Sequence, residues 1–178
     1  MKMKMNRINT NELKKIIPTL KAGESILLSG RVYTARDAAH AKLLELINKG
    51  EPLPFDIEDA AIYYAGPTEA PKGRPIGSCG PTTSGRMDSF SPTLLDMGLC
   101  CMIGKGNRSD EVVKSIVKNS AIYLCAIGGA GALAAKCITE CEVIAFPELG
   151  CESIKRLEFK DFPLIVGIDS NGNSVFVK

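Results

Sequence analysis

The stretch Gly80-Pro81-Thr82-Thr83-Ser84-Gly85-Arg86-Met87-Asp88 concentrates three hydroxyls, a cation and an acid, together with two glycines and a proline. No amphipathic period runs through it, so it does not build core. Glycine lets backbone N–H groups approach a ligand closely, and proline sets a tight path. The hydroxyls of Thr82, Thr83 and Ser84 both donate and accept. Arg86 offers a planar fork matched to carboxylate or phosphate. Such a loop suits a small, oxygen-rich anion. The alternative is a capped turn in which Thr83 or Ser84 starts a helix.

Further cations lie elsewhere in the chain. Arg36 falls in the first turn of a helix expected to open at Thr34, with Asp37 completing a capping-box-like start. The helix macrodipole disfavours a cation there by roughly 0.3–1 kcal/mol. An anion bound beside Arg36 would explain it, and so would a surface arginine offset by Asp37. His40, the only histidine, lies one turn on, as a packed hydrogen-bonded residue or as a catalyst. Lys105 sits between two glycines after a predicted strand, where it can reach an anion. Gly128-Gly129 follows the next strand, and a helix opening at Gly129 can hold an anion at its N-terminus. Arg36, Arg86 and Lys105 with the Thr82 hydroxyl suit a dicarboxylate. Asp37, His40, Thr83 and Asp88 stand beside them as supporting groups. Gly129-Ala130-Gly131-Ala132-Leu133-Ala134 also matches G-x-G-x-x-A, a nucleotide-binding pattern that close helix–sheet packing explains equally.

The elements that must position these groups follow from periodicity. A short helix over Asn11–Ile17 precedes a strand over Glu24–Tyr33, with a bend or bulge at Gly30. The helix from Thr34 turns Ala35, Ala39, Leu43, Leu44 and Ile47 inward and closes at Gly50. A proline-rich segment holds one strand, Ala60–Ala65, and Ile76–Cys79 is a short extended approach. Ser91 caps a helix that Pro92 begins and Gly98 ends. Leu99–Ile103, Ala121–Ile127 and Glu142–Phe146 are strands, separated by helices from Ser109 and from Ala130 to about Thr139. That alternation predicts a parallel βαβαβ portion in an α/β fold. In such sheets ligands sit at the carboxyl ends of strands. Leu157–Phe159, Leu164–Ile168 and Val175–Val177 are closing strands, with a hairpin turn at Asn171-Gly172.

Composition narrows the function classes. The 178 residues suffice for a real core, and 45% hydrophobic with 24% charged content is ordinary for a globular chain. A net charge of +2, 6% aromatics and no Trp exclude a typical nucleic-acid binder. The basic start leads into no apolar run, so no signal peptide is expected. The longest nearly apolar run, 121–135, is broken by glycines and too short to span a bilayer. A cytoplasmic location is expected. Seven cysteines, an odd number with no C-x-x-C pair, read as buried free thiols rather than a disulfide framework or a metal site. Neither a nucleophile elbow nor a Cys–His pair is implied by spacing. The chain reads as the substrate-gripping half of an active site whose reactive centre comes from elsewhere.

Several motifs in order carry a resemblance over nearly the whole chain. They are Tyr33-Thr34-Ala35-Arg36-Asp37-Ala38-Ala39-His40, the Gly80–Asp88 loop, Gly104-Lys105-Gly106-Asn107-Arg108-Ser109, Ile127-Gly128-Gly129, and Glu158 to Pro163. The sequence resembles the beta subunit of class I, iron–sulfur-dependent fumarate hydratase and of the related L(+)-tartrate dehydratase. The resemblance implies one swivelling β/β/α domain over residues 1–178 and a reversible hydro-lyase that interconverts fumarate and (S)-malate. It implies an alpha subunit that holds a four-iron four-sulfur cluster, so that none is bound by this chain alone. The two chains would form a hetero-oligomer, with a homodimer as the isolated form. It places substrate contacts on Arg36, Arg86 and Lys105, and a proton-transfer role on Thr82. Ser84 stands where some relatives have alanine. Tartrate dehydratase is the alternative substrate reading, and a non-catalytic anion- or nucleotide-binding module is the alternative of another class.

Overall fold

The computed structural model describes residues 5–127, 129 and 131–176. Strand β1 (Asn6–Asn9) runs straight into helix α1 (Thr10–Ile16). Asn9 makes the junction: its Oδ1 accepts from the Asn11 N–H at 3.1 Å, and Glu12 accepts from the Asn9 N–H at 3.2 Å. This capping box satisfies two N–H groups that the helix leaves free.

Strand β2 (Ser25–Thr34) is the hub. Along one side it pairs in parallel with β1 and then with β3 (Ala61–Tyr63). Its other side pairs antiparallel with β7 (Ile154–Ile168). From β3 the sheet continues in parallel through β4 (Cys101–Gly104) to β5 (Ile122–Cys125). Strand β5 then pairs antiparallel with the far half of β7. The pairings β2–β3–β4–β5–β7–β2 therefore close a ring. Strand β6 (Ile138–Ala145) pairs with β7 from outside that ring. The predicted bulge is present: the β2–β7 register shifts between Leu28 and Gly30. Gly30 has φ +106°, and a Cβ there would lie 2.3 Å from Thr10 Oγ1, so only glycine fits.

The period of two along each strand sorts side chains into two cores. Ile26, Leu28, Val32, Tyr63, Ile103, Leu124, Leu157 and Val166 fill one, on the inner face of the ring. Tyr33, Ile62, Met102, Tyr123 and Ile168 face the other way. There they meet Leu43 of α2 (Asp37–Lys49), Leu94 of α3 (Ser91–Asp96) and Ile116 of α4 (Asp110–Lys118). Each fully buried Leu or Ile contributes about 1.5–3 kcal/mol by leaving water.

Several expectations are corrected. Thr34 does not open a helix. It ends β2, and its hydroxyl serves β7 by accepting from the Lys155 N–H at 3.1 Å. Helix α2 begins at Asp37, and Arg36 is its N-cap in extended backbone. Ser91 does not cap α3; its hydroxyl donates to Met87 O at 2.8 Å. Helix α5 (Gly131–Lys136) stops short of Thr139, which already lies in β6. The parallel portion also sits earlier in the chain than alternation suggests. It is β2-α2-β3-α3-β4-α4-β5, and β6 is not its continuation but an antiparallel partner of β7. The two strands expected over 157–168 are one continuous strand.

Candidate active site

Four parallel strands end on one edge of the sheet, and the candidate residues lie just past those ends. Arg36 follows β2, Lys105 follows β4, and Gly129 follows β5. The Gly80–Asp88 loop crosses the same edge, tied to the strands by its backbone. The Thr82 N–H donates to Tyr64 O, just past β3, at 2.6 Å. Thr83 bridges Lys105 in parallel, and the Ser84 N–H donates to Lys105 O at 2.9 Å. Gly104 makes that approach possible. A Cβ there would lie 1.9 Å from Ser84 Oγ and 2.9 Å from Tyr64 Cδ2. Past the hydroxyls the loop tightens into a short 3-10 turn, Ser84–Met87. That turn presents Arg86 toward α2, where its Nε donates to Asp37 Oδ1 at 3.1 Å and its Nη2 lies 2.7 Å from Asp37 Oδ2.

Asp37, Arg86, Thr82, Thr83 and Lys105 are thus linked through the loop and its contacts, and Arg36 adjoins them as the chain neighbour of Asp37. Gly129 joins from the side, since Gly131 packs on the approach to the loop. The Cys79 N–H donates to Gly131 O at 3.1 Å, and a Cβ on Gly131 would lie 2.2 Å from Ser78 Oγ. That crowding is the packing role for the small residues of the G-x-G-x-x-A pattern. Gly128 lies outside the described residues.

The cations differ in what neutralises them. Arg86, half exposed, is held by Asp37. Arg36 Nε lies 3.8 Å from Glu152 Oε1, too far for a hydrogen bond. Among the described residues both of those atoms are buried with no hydrogen-bond partner. Lys105 forms no ion pair among the described residues. An edge with one unneutralised ammonium and one guanidinium short of partners attracts a multiply charged acid.

His40 is a packing residue. It is wholly buried against Tyr64 and Phe90, and its Nδ1–H donates to Arg36 O at 2.8 Å. Burial pushes its pKa down to about 4, against the opposing pull of that hydrogen bond. It is therefore a neutral ring beneath Arg36. Thr83 is exposed on the loop. Asp88 points away from the edge, pairing with the buried Arg108 at 2.6 Å and accepting from the Ser109 N–H at 2.7 Å.

Three of the seven thiols are held in the form that does not ligate metal. Burial pushes Cys79 and Cys100 up to about 12 and Cys101 well above its usual value, so all three stay protonated. Among the described residues no group of His, Cys, Asp or Glu is arranged to hold a metal ion.

Sequence reasoning missed Glu152, Arg108 and the Gly104–Ser84 contact. Glu152 had no signal, because it reaches Arg36 from a distant 3-10 segment, Pro147–Glu152. Arg108 sits beside the cap Ser109 within a quoted motif, and Gly104 directly precedes Lys105. Both were visible as residues without their contacts being readable.

Comparison with known proteins places the chain in a family. A family model described as Fumarase C-terminus matches residues 1–178. The anaerobic class I fumarate hydratase of Escherichia coli (strain K12) is 48% identical over 151 residues, covering 84% of this chain and 28% of that protein. Fumarate hydratase 2 of Leishmania major is 39% identical over 170 residues, covering 94% and 30%. A putative L(+)-tartrate dehydratase subunit beta of Methanocaldococcus jannaschii is 36% identical over 182 residues, covering 99% and 91%. The chain thus spans less than a third of the fumarate hydratases it matches but nearly all of the tartrate dehydratase subunit. Since the family model takes in every residue that builds the cationic edge, the chain belongs to the Fumarase C-terminus family.

Proposed function

We propose that this chain is the beta subunit of an iron–sulfur-dependent hydro-lyase that adds water reversibly across fumarate to give (S)-malate. In this reading it is one swivelling β/β/α domain, works in the cytoplasm, and is active only with an alpha subunit. The observation that carries the proposal is the placement of Arg36, Thr82, Arg86 and Lys105 at one sheet edge. The hydro-lyase class follows from the named relatives, which are hydratases and a dehydratase. No described helix is long and apolar enough to cross a membrane.

The chemistry asked of these residues is specific. Removing a proton beside a carboxylate builds negative charge, and fixed cations stabilise that charge in a water-poor cleft. Arg36 and Arg86 offer guanidinium forks that orient carboxylates, and Lys105 adds a point charge. Thr82 is held by its backbone bond to Tyr64, with its hydroxyl left to serve the proton-transfer step. A threonine hydroxyl alone is a poor base, so it needs an acid or base from the partner. The four-iron four-sulfur cluster is assigned to the alpha subunit, where it supplies a Lewis acid for the substrate hydroxyl. The protonated thiols of this chain take no part in holding it.

Tartrate is the second substrate reading: a putative L(+)-tartrate dehydratase subunit beta is 36% identical over 99% of this chain, against 48% over 84% for a fumarate hydratase. Co-expression with the cluster-bearing partner, followed by assays of malate and L(+)-tartrate dehydration, decides between them. Fumarate formation from malate is the expected result. Oxaloacetate from tartrate selects the second reading, and no turnover of either by a cluster-loaded complex refutes both.

A further inference from the structure

We propose that Arg108, with Asp88, is a positioning residue that sets the spacing between the threonine loop and Lys105. This rests on the dicarboxylate site proposed above. The side chain of Arg108 is wholly buried beneath that edge. Its Nε donates to Asp88 Oδ1 at 2.6 Å, and its Nη2 donates to Ser91 Oγ at 2.8 Å and to Tyr64 Oη at 3.4 Å. Its plane lies near the rings of Tyr64 and Tyr123, 5.3 and 5.0 Å from their centres. The second oxygen of Asp88 accepts from the Ser109 N–H at 2.7 Å.

These contacts join the segments that carry Thr82, Arg86 and Lys105. Asp88 ends the loop that holds Thr82 and Arg86. Arg108 and Ser109 end the turn that begins at Lys105. Tyr64 receives the Thr82 N–H through its carbonyl oxygen. Tyr123 Oη donates to Gly106 O and accepts from the Ser84 hydroxyl, both at 2.8 Å, and so touches the loop and the lysine turn at once. A guanidinium can serve these directions together because its donors are fixed in a plane. Stability alone does not explain it. A buried ion pair is frequently no more stabilising than well-packed apolar residues of the same volume. A desolvated arginine where two ligand-facing loops meet is better explained by the geometry it imposes.

The test is a double-mutant cycle in the complex with the partner subunit. Arg108→Lys and Asp88→Asn are each made alone and with Lys105→Ala. Both kcat/KM for malate, per folded protein, and the calorimetric Kd for malate are measured. If Arg108 acts through the spacing to Lys105, Arg108→Lys lowers kcat/KM by about tenfold or more in the parent and by less than about threefold when Lys105 is already alanine. The same coupling is expected in Kd. Equal factors in both backgrounds, or no loss in either, overturn the proposal. A parent complex that binds malate but does not turn it over removes the hydro-lyase reading, and the cycle in Kd still decides the brace. A parent that binds no malate overturns both. If Arg108→Lys does not fold, Asp88→Asn carries the cycle. Failure of both to fold overturns the proposal, because the pair then holds the fold rather than the site.

Discussion

His40 makes stability depend on pH between about 4 and 6.5. It is the only histidine, and burial places its native pKa at about 4 instead of 6.5. Between those values the unfolded chain binds the proton and the native chain does not. Stability therefore falls as pH drops below 6.5, levels off below about 4, and is flat above 6.5. At about 1.4 kcal/mol per pH unit, the loss between about pH 7 and pH 4.5 is about 2.5 kcal/mol. That is a large share of the 5–15 kcal/mol typical of a folded domain, so about a quarter of the stability rides on one ring. Carboxylates with lowered pKa, such as Asp96 bonded to Asn119 and Lys118, lose their contribution only at still lower pH. Urea unfolding at these two pH values reads the effect as a midpoint shift of about 1 M, taking a slope of about 2 kcal/mol/M. His40→Gln removes the titration and flattens the profile. An equal loss in His40→Gln, or a loss under about 1 kcal/mol in the parent, refutes the assignment of a buried neutral imidazole.

The other predictions concern the site and the thiols. Arg86→Ala is expected to leave the melting temperature near the parent value, since the side chain is half exposed. It should cost about 2–3 kcal/mol in kcat/KM for malate, the loss of a charged fork, and an unchanged rate counts against its role. Gly104→Ala should destabilise by about 1–3 kcal/mol through overpacking. Ser84→Ala in the same chain should recover part of that, because it removes the atom 1.9 Å from the added methyl; no recovery in a thermal melt refutes the contact. Cys151 is exposed and should react with a thiol reagent in the native protein, while Cys79, Cys100 and Cys101 are buried and should react only after unfolding. Native labelling of any of these three, read by mass spectrometry, refutes their burial.

The residues of the proposed site were easier to single out in the sequence than the pairing of the strands around them. Loop chemistry is local: Thr82 and Arg86 stand out by residue type in a loop that holds Gly80 and Gly85, and Lys105 by the glycines on either side of it. Strand existence was legible too, and the Gly30 bulge followed from one glycine in an apolar run. Pairing was not. Nothing in the period of residues 138–145 says that they join β7 from outside rather than continue a parallel series, because side-chain alternation is the same for both. The start of α2 was misread for a related reason. Thr34 looks like a cap, but its hydroxyl is used 121 residues away, at Lys155. Arg36 thereby moves from the first turn to the cap itself, where its backbone is extended and its side chain turns toward Glu152. Long-range partners, Glu152 for Arg36 and Asp88 for Arg108, are what a single sequence cannot display.

The ion pairs also bear on the proposal that another polypeptide completes the site. Arg36 and Arg86 each face a carboxylate of this chain, Glu152 and Asp37, and Lys105 faces none among the described residues. The edge is therefore close to a single net positive charge, which lets it exist without ligand at little electrostatic cost. A bound dicarboxylate carries two negative charges and would leave one uncompensated. In a cleft shielded from water, an uncompensated charge costs several kcal/mol. Balance then requires a positive centre from beyond these residues, on the far side of the ligand. That centre is what the proposed partner would have to supply. The same accounting predicts that the chain on its own binds dicarboxylates weakly, with affinity that falls steeply as salt is raised. Tight, salt-insensitive binding by the isolated chain would show that the site is already complete.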